Sequence, residues 1–472
     1  METNRRNFFK LSGLAGMGLF GSNIFDANGQ EKPKQKGAGT GLSSGAHTQR
    51  FNMSGYAAPK IDKVRIGFVG LGNRGPGAVD RMSHIEGVEI KALCDLRPER
   101  VDILKKKLSG SIHQPVAYTG DSEAWKKMCD REDIDLVYIA TPWYLHTPIA
   151  VYALNHGKHV CTEVPAAITL EQCWQLVEAS ERNRKHCMML ENCCYDFFEL
   201  LTLNMARQGF FGELIHGEGA YLHDLLEGNF SKTKYWDLWR LKQNYRKGNL
   251  YPTHGLGPIC QLMDINRGDQ MDYLVSVSSN DFLMANMAKD LAAKDAFYKE
   301  FADKTYRGNM NTTTIRTKKG RTIMVQHDVT TPRPYSRIHQ INGTKAMACK
   351  YPEPGRISNK DKWYSEDEMK DIEKKYAPKI VTRIGEMAKQ VGGHGGMDFM
   401  MDWHTIDCLR NGLPLDQDVY DAALWSSIGP LSEWSVANRS QSIDVPDFTC
   451  GSWNKNKPVD ISLKEGGNTK VI

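Results

Sequence analysis

The stretch KVRIGFVGLGNRG, Lys63 to Gly75, decides the fold. Val64, Ile66, Phe68 and Val69 form an apolar run suited to a buried parallel strand. The run ends in Gly70-Leu71-Gly72-Asn73-Arg74-Gly75, which fits G-x-G-x-x-G. The first glycine permits a tight turn. The second lets backbone approach a pyrophosphate, and the third lets the next helix pack closely on the strand. A helix is predicted from about Gly75 to His84, with Pro76 in its first turn. Phosphates would sit at its N-terminus. Asp95 ends the following strand, VEIKALCD (Val88 to Asp95). There a carboxylate could accept hydrogen bonds from a ribose diol and repel a 2′-phosphate, which favours NAD over NADP. Arg97 and Arg100 lie close by and pull the other way.

Outward from this stretch, strand and helix patterns alternate. DLVYIATP (Asp135 to Pro142) and HVCTEVP (His159 to Pro165) read as further buried strands. A helix starts at a capping box, Thr169 with Gln172, and continues with Trp174, Leu176, Val177 and Ala179 on one side. The alternation predicts a doubly wound parallel sheet, a Rossmann domain, over residues 61–192. Later the style changes. LIHGEGAYLH (Leu214 to His223), YLVSVSS (Tyr273 to Ser279) and SRIHQINGTKAMA (Ser336 to Ala348) read as strands. A hairpin is expected around Lys319-Gly320, and a late helix closed by Gly412. Residues 193–472 are therefore expected to form an α+β domain on a largely antiparallel sheet, with C-terminal helices. Its free face could build a dimer or tetramer.

The 472 residues carry a formal net charge of +5, without a concentrated basic face. KDKWYSEDEMKDIEKKYAPK (Lys360 to Lys379) mixes both signs and reads as a solvated helix. This composition argues against nucleic acid as a partner. The 11 cysteines include no C-x-x-C pair, and Cys193-Cys194 lacks metal-ligand spacing, so neither a disulfide framework nor a zinc site is expected.

Residues 1–60 read as an export signal followed by a disordered linker. NRRNFFK (Asn4 to Lys10) is a twin-arginine pattern, and the apolar run LSGLAGMGLFG follows it. No later stretch is long and apolar enough to span a bilayer. The twin-arginine route carries folded proteins, so a chain bound for the periplasm could capture its dinucleotide in the cytoplasm and keep it.

The strand–GLGNRG–helix opening, TPWYLHTPIA (Thr141 to Ala150) and TEVPAA (Thr162 to Ala167) resemble the glucose-fructose oxidoreductase, inositol dehydrogenase and rhizopine catabolism superfamily. CDLRPER, EVPAAITLEQCWQLV, GELIHGEGAYLHD and GNLYPTHGLGPICQLMDINRGD resemble glycoside hydrolase family 109 within it. The resemblance runs from about residue 61 to the C-terminal helices. It implies an NAD-dependent α-N-acetylgalactosaminidase acting on a small glycoside or a glycan terminus. It implies cofactor contacts at Asn73, Arg74, Asp95, the Trp143–His146 segment, Glu163, Val164 and Asn192, besides Gly70, Gly72 and Gly75. It implies sugar contacts at Tyr221, Arg240, Tyr251, Pro252, Thr253, His254 and Tyr335.

Where dehydrogenases of the superfamily commonly carry Glu-Lys-Pro, this chain has Glu163-Val164-Pro165. Valine transfers no proton, so lysine-assisted hydroxyl oxidation is not available there. In the implied cycle NAD takes hydride from C3 of the sugar. The C2 proton becomes acidic, the C1 substituent is eliminated, water adds and the hydride returns. The tightly bound cofactor is thereby recycled. NAD-dependent glycosidases are exceptions to the two-carboxylate rule. His254 is the acid/base candidate because histidine titrates near neutral pH. Tyr251 could act as its relay, and Glu163 could orient nicotinamide or a hydroxyl. His223-Asp224 and His394, in GGHGGMD, are further candidates. The cycle requires no metal, and the sequence shows no ligand cluster. The alternative is a periplasmic sugar oxidoreductase with bound NAD(P); a non-catalytic sensor is a third reading.

Overall fold

The computed structural model describes residues 47–472. The twin-arginine segment lies outside them. Six strands, β1 (Val64–Val69), β2 (Val88–Cys94), β3 (Val116–Tyr118), β4 (Leu136–Ile139), β5 (His159–Thr162) and β6 (Cys187–Met189), form the first sheet. Their order is β3-β2-β1-β4-β5-β6, and every pair is parallel. This is the doubly wound Rossmann topology expected. The strand order reverses between β1 and β4, where such sheets open a ligand crevice. Gly70 (φ +89°) makes the turn there, and a Cβ on it would stand 2.6 Å from the Ala140 carbonyl carbon. The loops after β1 and β4 therefore touch at the crevice floor. A Cβ on Gly75 would stand 2.1 Å from the Gly70 carbonyl oxygen, so the third glycine of the motif seats the helix Gly75–Ser83 against the turn.

The second sheet has eight strands: β7 (Leu214–Leu222), β8 (Met271–Ser278), β9 (Asn311–Thr317), β10 (Thr322–Asp328), β11 (Gln340–Gly343), β12 (Met347–Cys349), β13 (Arg356–Ser358) and β14 (Ile443–Asp444). The order is β13-β12-β11-β7-β10-β9-β8-β14, antiparallel except for β7 with β10. SRIHQINGTKAMA is not one strand. It folds back as the hairpin β11–β12 through Thr344-Lys345, with the Gly343 amide donating to the Ala346 carbonyl at 2.9 Å. Strand β9 alternates buried and exposed residues, as a sheet covered on one face requires. The charged segment read as solvated forms the helix Glu366–Tyr376 behind a Ser365 capping box, with no buried residue.

The covering helix runs from Thr253 to Leu262. Glycines bring it unusually close to β7. A Cβ on Gly219 would lie 2.1 Å from the Gly255 oxygen, and one on Gly255 would lie 2.0 Å from the Ala220 nitrogen. The helix Val419–Ala437 is buried nearly all round. Ser426 Oγ accepts from the Ala166 amide at 3.1 Å, and Ser435 Oγ accepts from the Ser276 amide at 2.9 Å. One helix thus ties the β5–β6 side of the first sheet to β8 of the second.

Residues 47–60 correct the linker expectation. Met53 is buried, Ala57 bridges Pro414, and Gln49 donates to the Tyr420 hydroxyl at 2.8 Å. Phe51, Met53 and Tyr56 supplied apolar anchors that the overall composition of the segment masked. All 11 cysteines are unpaired and most are buried, as packing residues would be. Among the described residues no helix is long and apolar enough to cross a membrane.

Candidate active site

A cavity of about 660 Å³ runs from the β1–β4 crevice to the end of β7. Gly70, Gly72, Asn73, Arg74, Asp95, Trp143, His146, Glu163, Val164, Asn192, Tyr221, Arg240, Tyr251 and His254 all line it. Residues far apart in sequence thus meet in one space. Gly75 lies behind the turn as a packing glycine. Pro252 and Thr253 do not line the cavity; both are buried behind its wall, because they start a helix pressed onto β7. Tyr335 stands at the edge, its ring 5.1 Å from His223 and 6.1 Å from Tyr221. His223 and His394 also line the cavity, whereas Asp224 is exposed outside it.

The cofactor half fits a dinucleotide. A Cβ on Gly72 would have only an Arg97 nitrogen, 3.8 Å off, as neighbour, so room is left beside this backbone for a phosphate. Asp95 is already engaged in shaping the loop. Its carboxylate accepts from the Leu71 amide at 2.7 Å and from the Arg97 amide at 2.9 Å. The Arg97 guanidinium lies 5.0 Å from the centre of the Trp236 ring.

Arg74 is tied to two acids. Its Nε donates to Glu163 Oε1 at 2.8 Å and a terminal nitrogen to Asp398 Oδ2 at 3.0 Å. Glu163 is therefore both a cavity wall and half of an ion pair. Asn192 donates to the other oxygen of Asp398. His146 is wedged between two carbonyls, Pro165 at 2.8 Å and Thr141 at 2.7 Å. Burial pushes its pKa down, against the pull of those carbonyls. As a neutral ring it donates to one of these carbonyls, and both of its nitrogens face backbone rather than the cavity.

The other half is aromatic. Trp143 stacks on Tyr251, with centroids 5.4 Å apart and planes at 19°. Arg240 lies within 5.1 Å of both ring centres. Among the described residues it pairs with no carboxylate; the Tyr221 hydroxyl is its side-chain hydrogen-bond partner, which leaves further guanidinium donors for an uncharged or anionic acceptor. The Tyr251 hydroxyl is 3.4 Å from His254 Nε2. The Tyr221 hydroxyl is 3.1 Å from His223 Nδ1. Burial raises the Tyr221 and Tyr251 hydroxyls, so both stay protonated donors at neutral pH.

The sequence reading missed Glu191, whose Oε1 lies 2.7 Å from His254 Nδ1. It also missed Asp398, and it found no ligand cluster. Among the described residues, a Glu191 carboxylate oxygen, the Cys193 thiol and a His254 ring nitrogen lie within 4.8 Å of one another, a grouping with no local signature in the sequence. Sixty-odd residues of intervening chain hid the grouping. The short Glu191–His254 contact makes it a hydrogen-bonded pair as it stands. The available signal was position: Glu191 follows β6, and ligand groups gather past the carboxyl ends of such strands. His394 sits on a turn in which Gly392, Gly393, His394, Gly395 and Gly396 all have positive φ. Its side chain is 55% exposed, and Nδ1 lies 2.9 Å from Asp398 Oδ2.

A family model for "Glycosyl hydrolase 109, C-terminal domain" matches residues 195–455, and one for "Oxidoreductase family, NAD-binding Rossmann fold" matches residues 64–191. A glycosyl hydrolase family 109 protein of Bacteroides fragilis is 49% identical over 425 residues, covering 86% of this chain and 89% of that protein. An alpha-N-acetylgalactosaminidase of Bacteroides fragilis is 50% identical over 411 residues, covering 86% of this chain and 96% of that protein. Among solved structures, levoglucosan dehydrogenase in complex with NADH superposes with a TM-score of 0.60 at 16% identity, over 82% of this chain and all of that one. An aldose-aldose oxidoreductase from Caulobacter crescentus gives 0.57 at 16% identity, over 81% of this chain and 99% of that one. These two show likeness of fold.

Proposed function

The chain belongs to glycosyl hydrolase family 109 and is a glycoside hydrolase on an NAD-binding fold; from that premise we propose that it hydrolyses terminal α-linked N-acetylgalactosamine with a retained, recycled NAD. The observation that carries the reading is one continuous cavity. A glycine-lined dinucleotide cleft opens directly onto an aromatic pocket holding histidine, tyrosine and an unpaired arginine.

When bound, NAD supplies a temporary hydride store at C3, which acidifies the neighbouring C2 proton without net redox change. The chain does the remainder. Trp143 and Tyr251 offer apolar faces to a sugar ring. Arg240 donates to the acetamide carbonyl or a ring hydroxyl. His254 Nε2 takes a proton from the sugar, with the Tyr251 hydroxyl beside it as relay. Glu163 holds Arg74 at the boundary between sugar and cofactor and orients a hydroxyl. Tyr221 and Tyr335 donate at the rim. The aglycone leaves toward solvent, where His394, the exposed histidine of the cavity, meets the leaving oxygen as acid.

Retention of the cofactor fits export. Asn4 to Lys10 supports passage through the twin-arginine route in the folded state, with the dinucleotide aboard, to the periplasm. A redox-neutral cycle needs no dinucleotide supply there. Cell fractionation of the native and Arg5→Lys, Arg6→Lys forms tests this. The open face of the second sheet supports self-association, tested by light scattering.

For the central reading, purified protein is given p-nitrophenyl α-N-acetylgalactosaminide without added NAD, in D₂O. Release of p-nitrophenol, with deuterium at C2 of the freed sugar, is expected. Cleavage without C2 deuterium, or cleavage surviving complete removal of the dinucleotide, would overturn it.

A further inference from the structure

We propose that Glu191 is a positioning residue that fixes His254 with Nδ1 protonated and the Nε2 lone pair turned into the cavity; this rests on the glycosidase reading, which assigns His254 the base. Glu191 follows β6 and begins the turn Asn192–Tyr195. Its carboxylate is completely buried and does not line the cavity, so it can act on the sugar only through another group. Oε1 accepts from His254 Nδ1 at 2.7 Å and from the Cys193 amide at 3.1 Å.

A carboxylate can only accept, so the hydrogen of a neutral imidazole in this contact lies on Nδ1. Burial alone would raise the Glu191 carboxyl, but the His254 charge and hydrogen bond outweigh it and hold it below the ordinary glutamate range. The free ring nitrogen is then Nε2, which faces the Tyr251 hydroxyl at 3.4 Å. When the sugar's proton moves to Nε2, the ring becomes imidazolium and Glu191 remains ionised 2.7 Å away. The ion pair forms as the proton arrives, so the interaction is strongest after transfer.

Three further contacts hold the pair. Gln417 Nε2 donates to the Glu191 carbonyl at 3.0 Å. A Cβ on Gly257 would stand 2.8 Å from Glu191 Cγ, so glycine there lets the His254 helix reach the acid. Gly255 seats the same helix on β7. Backbone contacts thus set both partners, and the tautomer follows from their meeting.

The test uses holoenzyme labelled with ¹⁵N-histidine, with His254→Asn to assign the resonance. In the wild type, His254 is expected as the Nδ1–H tautomer. Glu191→Gln is expected to lose kcat on the order of a hundredfold, with KM and bound NAD within about twofold. Glu191→Asp, which keeps the carboxylate, is expected to recover part of kcat. An Nε2–H tautomer in the wild type overturns the proposal. So does a Glu191→Gln enzyme turning over within about threefold of wild type. Should the wild type cleave no glycoside, the glycosidase reading fails instead, and the wild-type spectrum still decides what Glu191 does.

Discussion

Asn73, in the dinucleotide loop, donates from Nδ2 to the Lys234 carbonyl at 2.6 Å, so the segment that follows β7 is tied across the cofactor cleft. Two further contacts run alongside. The Arg97 guanidinium lies 5.0 Å from the Trp236 ring centre, and Trp143 meets Trp239 edge-on at 5.2 Å. Asp237 and Leu238 take positive φ between these tryptophans, which turns the chain back over the cleft. The strap shares the cavity with the dinucleotide turn: Lys234, Tyr235 and Trp236 line it together with Gly70, Gly72 and Asp95.

Loosening the strap is therefore expected to loosen the cofactor. The double variant Asn73→Ala, Trp236→Ala should retain less NAD after dialysis than the wild type, measured by mass spectrometry of denatured protein. Added NAD should restore its turnover. Equal retention in both proteins would count against the strap.

The glycines of the YPTHGLGP segment are structural in a specific way. Gly255→Ala puts a methyl 2.0 Å from the Ala220 nitrogen, where only backbone can yield. A loss of about 1–3 kcal/mol or more is expected in chemical denaturation, with kcat lowered because His254 is the neighbouring residue. Gly429→Ala is the control. Its Cβ would meet only the Asn249 oxygen at 3.6 Å, so no steric loss like that of Gly255→Ala is expected, and stability should stay within about 1 kcal/mol of wild type.

Assigning His394 to the leaving oxygen separates two kinds of substrate. A p-nitrophenolate leaves with little help, whereas a sugar or serine alkoxide needs a proton. His394→Ala should lose on the order of tenfold or more in kcat on a natural glycan terminus. It should lose far less on the aryl glycoside. Equal losses on both would move His394 out of the acid role.

Asp398 makes stability depend on acid. Burial alone would raise its carboxyl, but the His394 hydrogen bond and the Arg74 and Arg81 charges outweigh it and hold it well below the ordinary aspartate range. A depressed folded pKa contributes stability above the unfolded value of about 3.9 and loses it as pH falls through the folded one. The wild-type Tm should therefore drop from about pH 4.5 downward. Asp398→Asn should show a lower Tm at neutral pH and a shallower acid slope. An unchanged slope would show that these arginines do not hold the charge.

The first sheet was legible because its information is local. A strand, a glycine turn and a helix occupy adjacent residues, and the strand run of β4 announces itself by apolarity alone. Most cavity residues were legible only through family resemblance, since a lone Tyr221 or Arg240 has no local signal. Residues 47–60 misled by composition, because a few apolar anchors decide packing whatever surrounds them.

The amino-acid order alone determined the doubly wound sheet and the dinucleotide turn at Gly70 to Gly75. Only the tertiary structure decided that Glu191 serves His254, that Asp398 gathers Arg74, Asn192 and His394, and that Pro252 and Thr253 stand behind the wall. Periodicity and turn chemistry act between neighbours in the chain. A hydrogen bond between side chains on different elements exists only once glycines such as Gly255 and Gly257 let those elements approach.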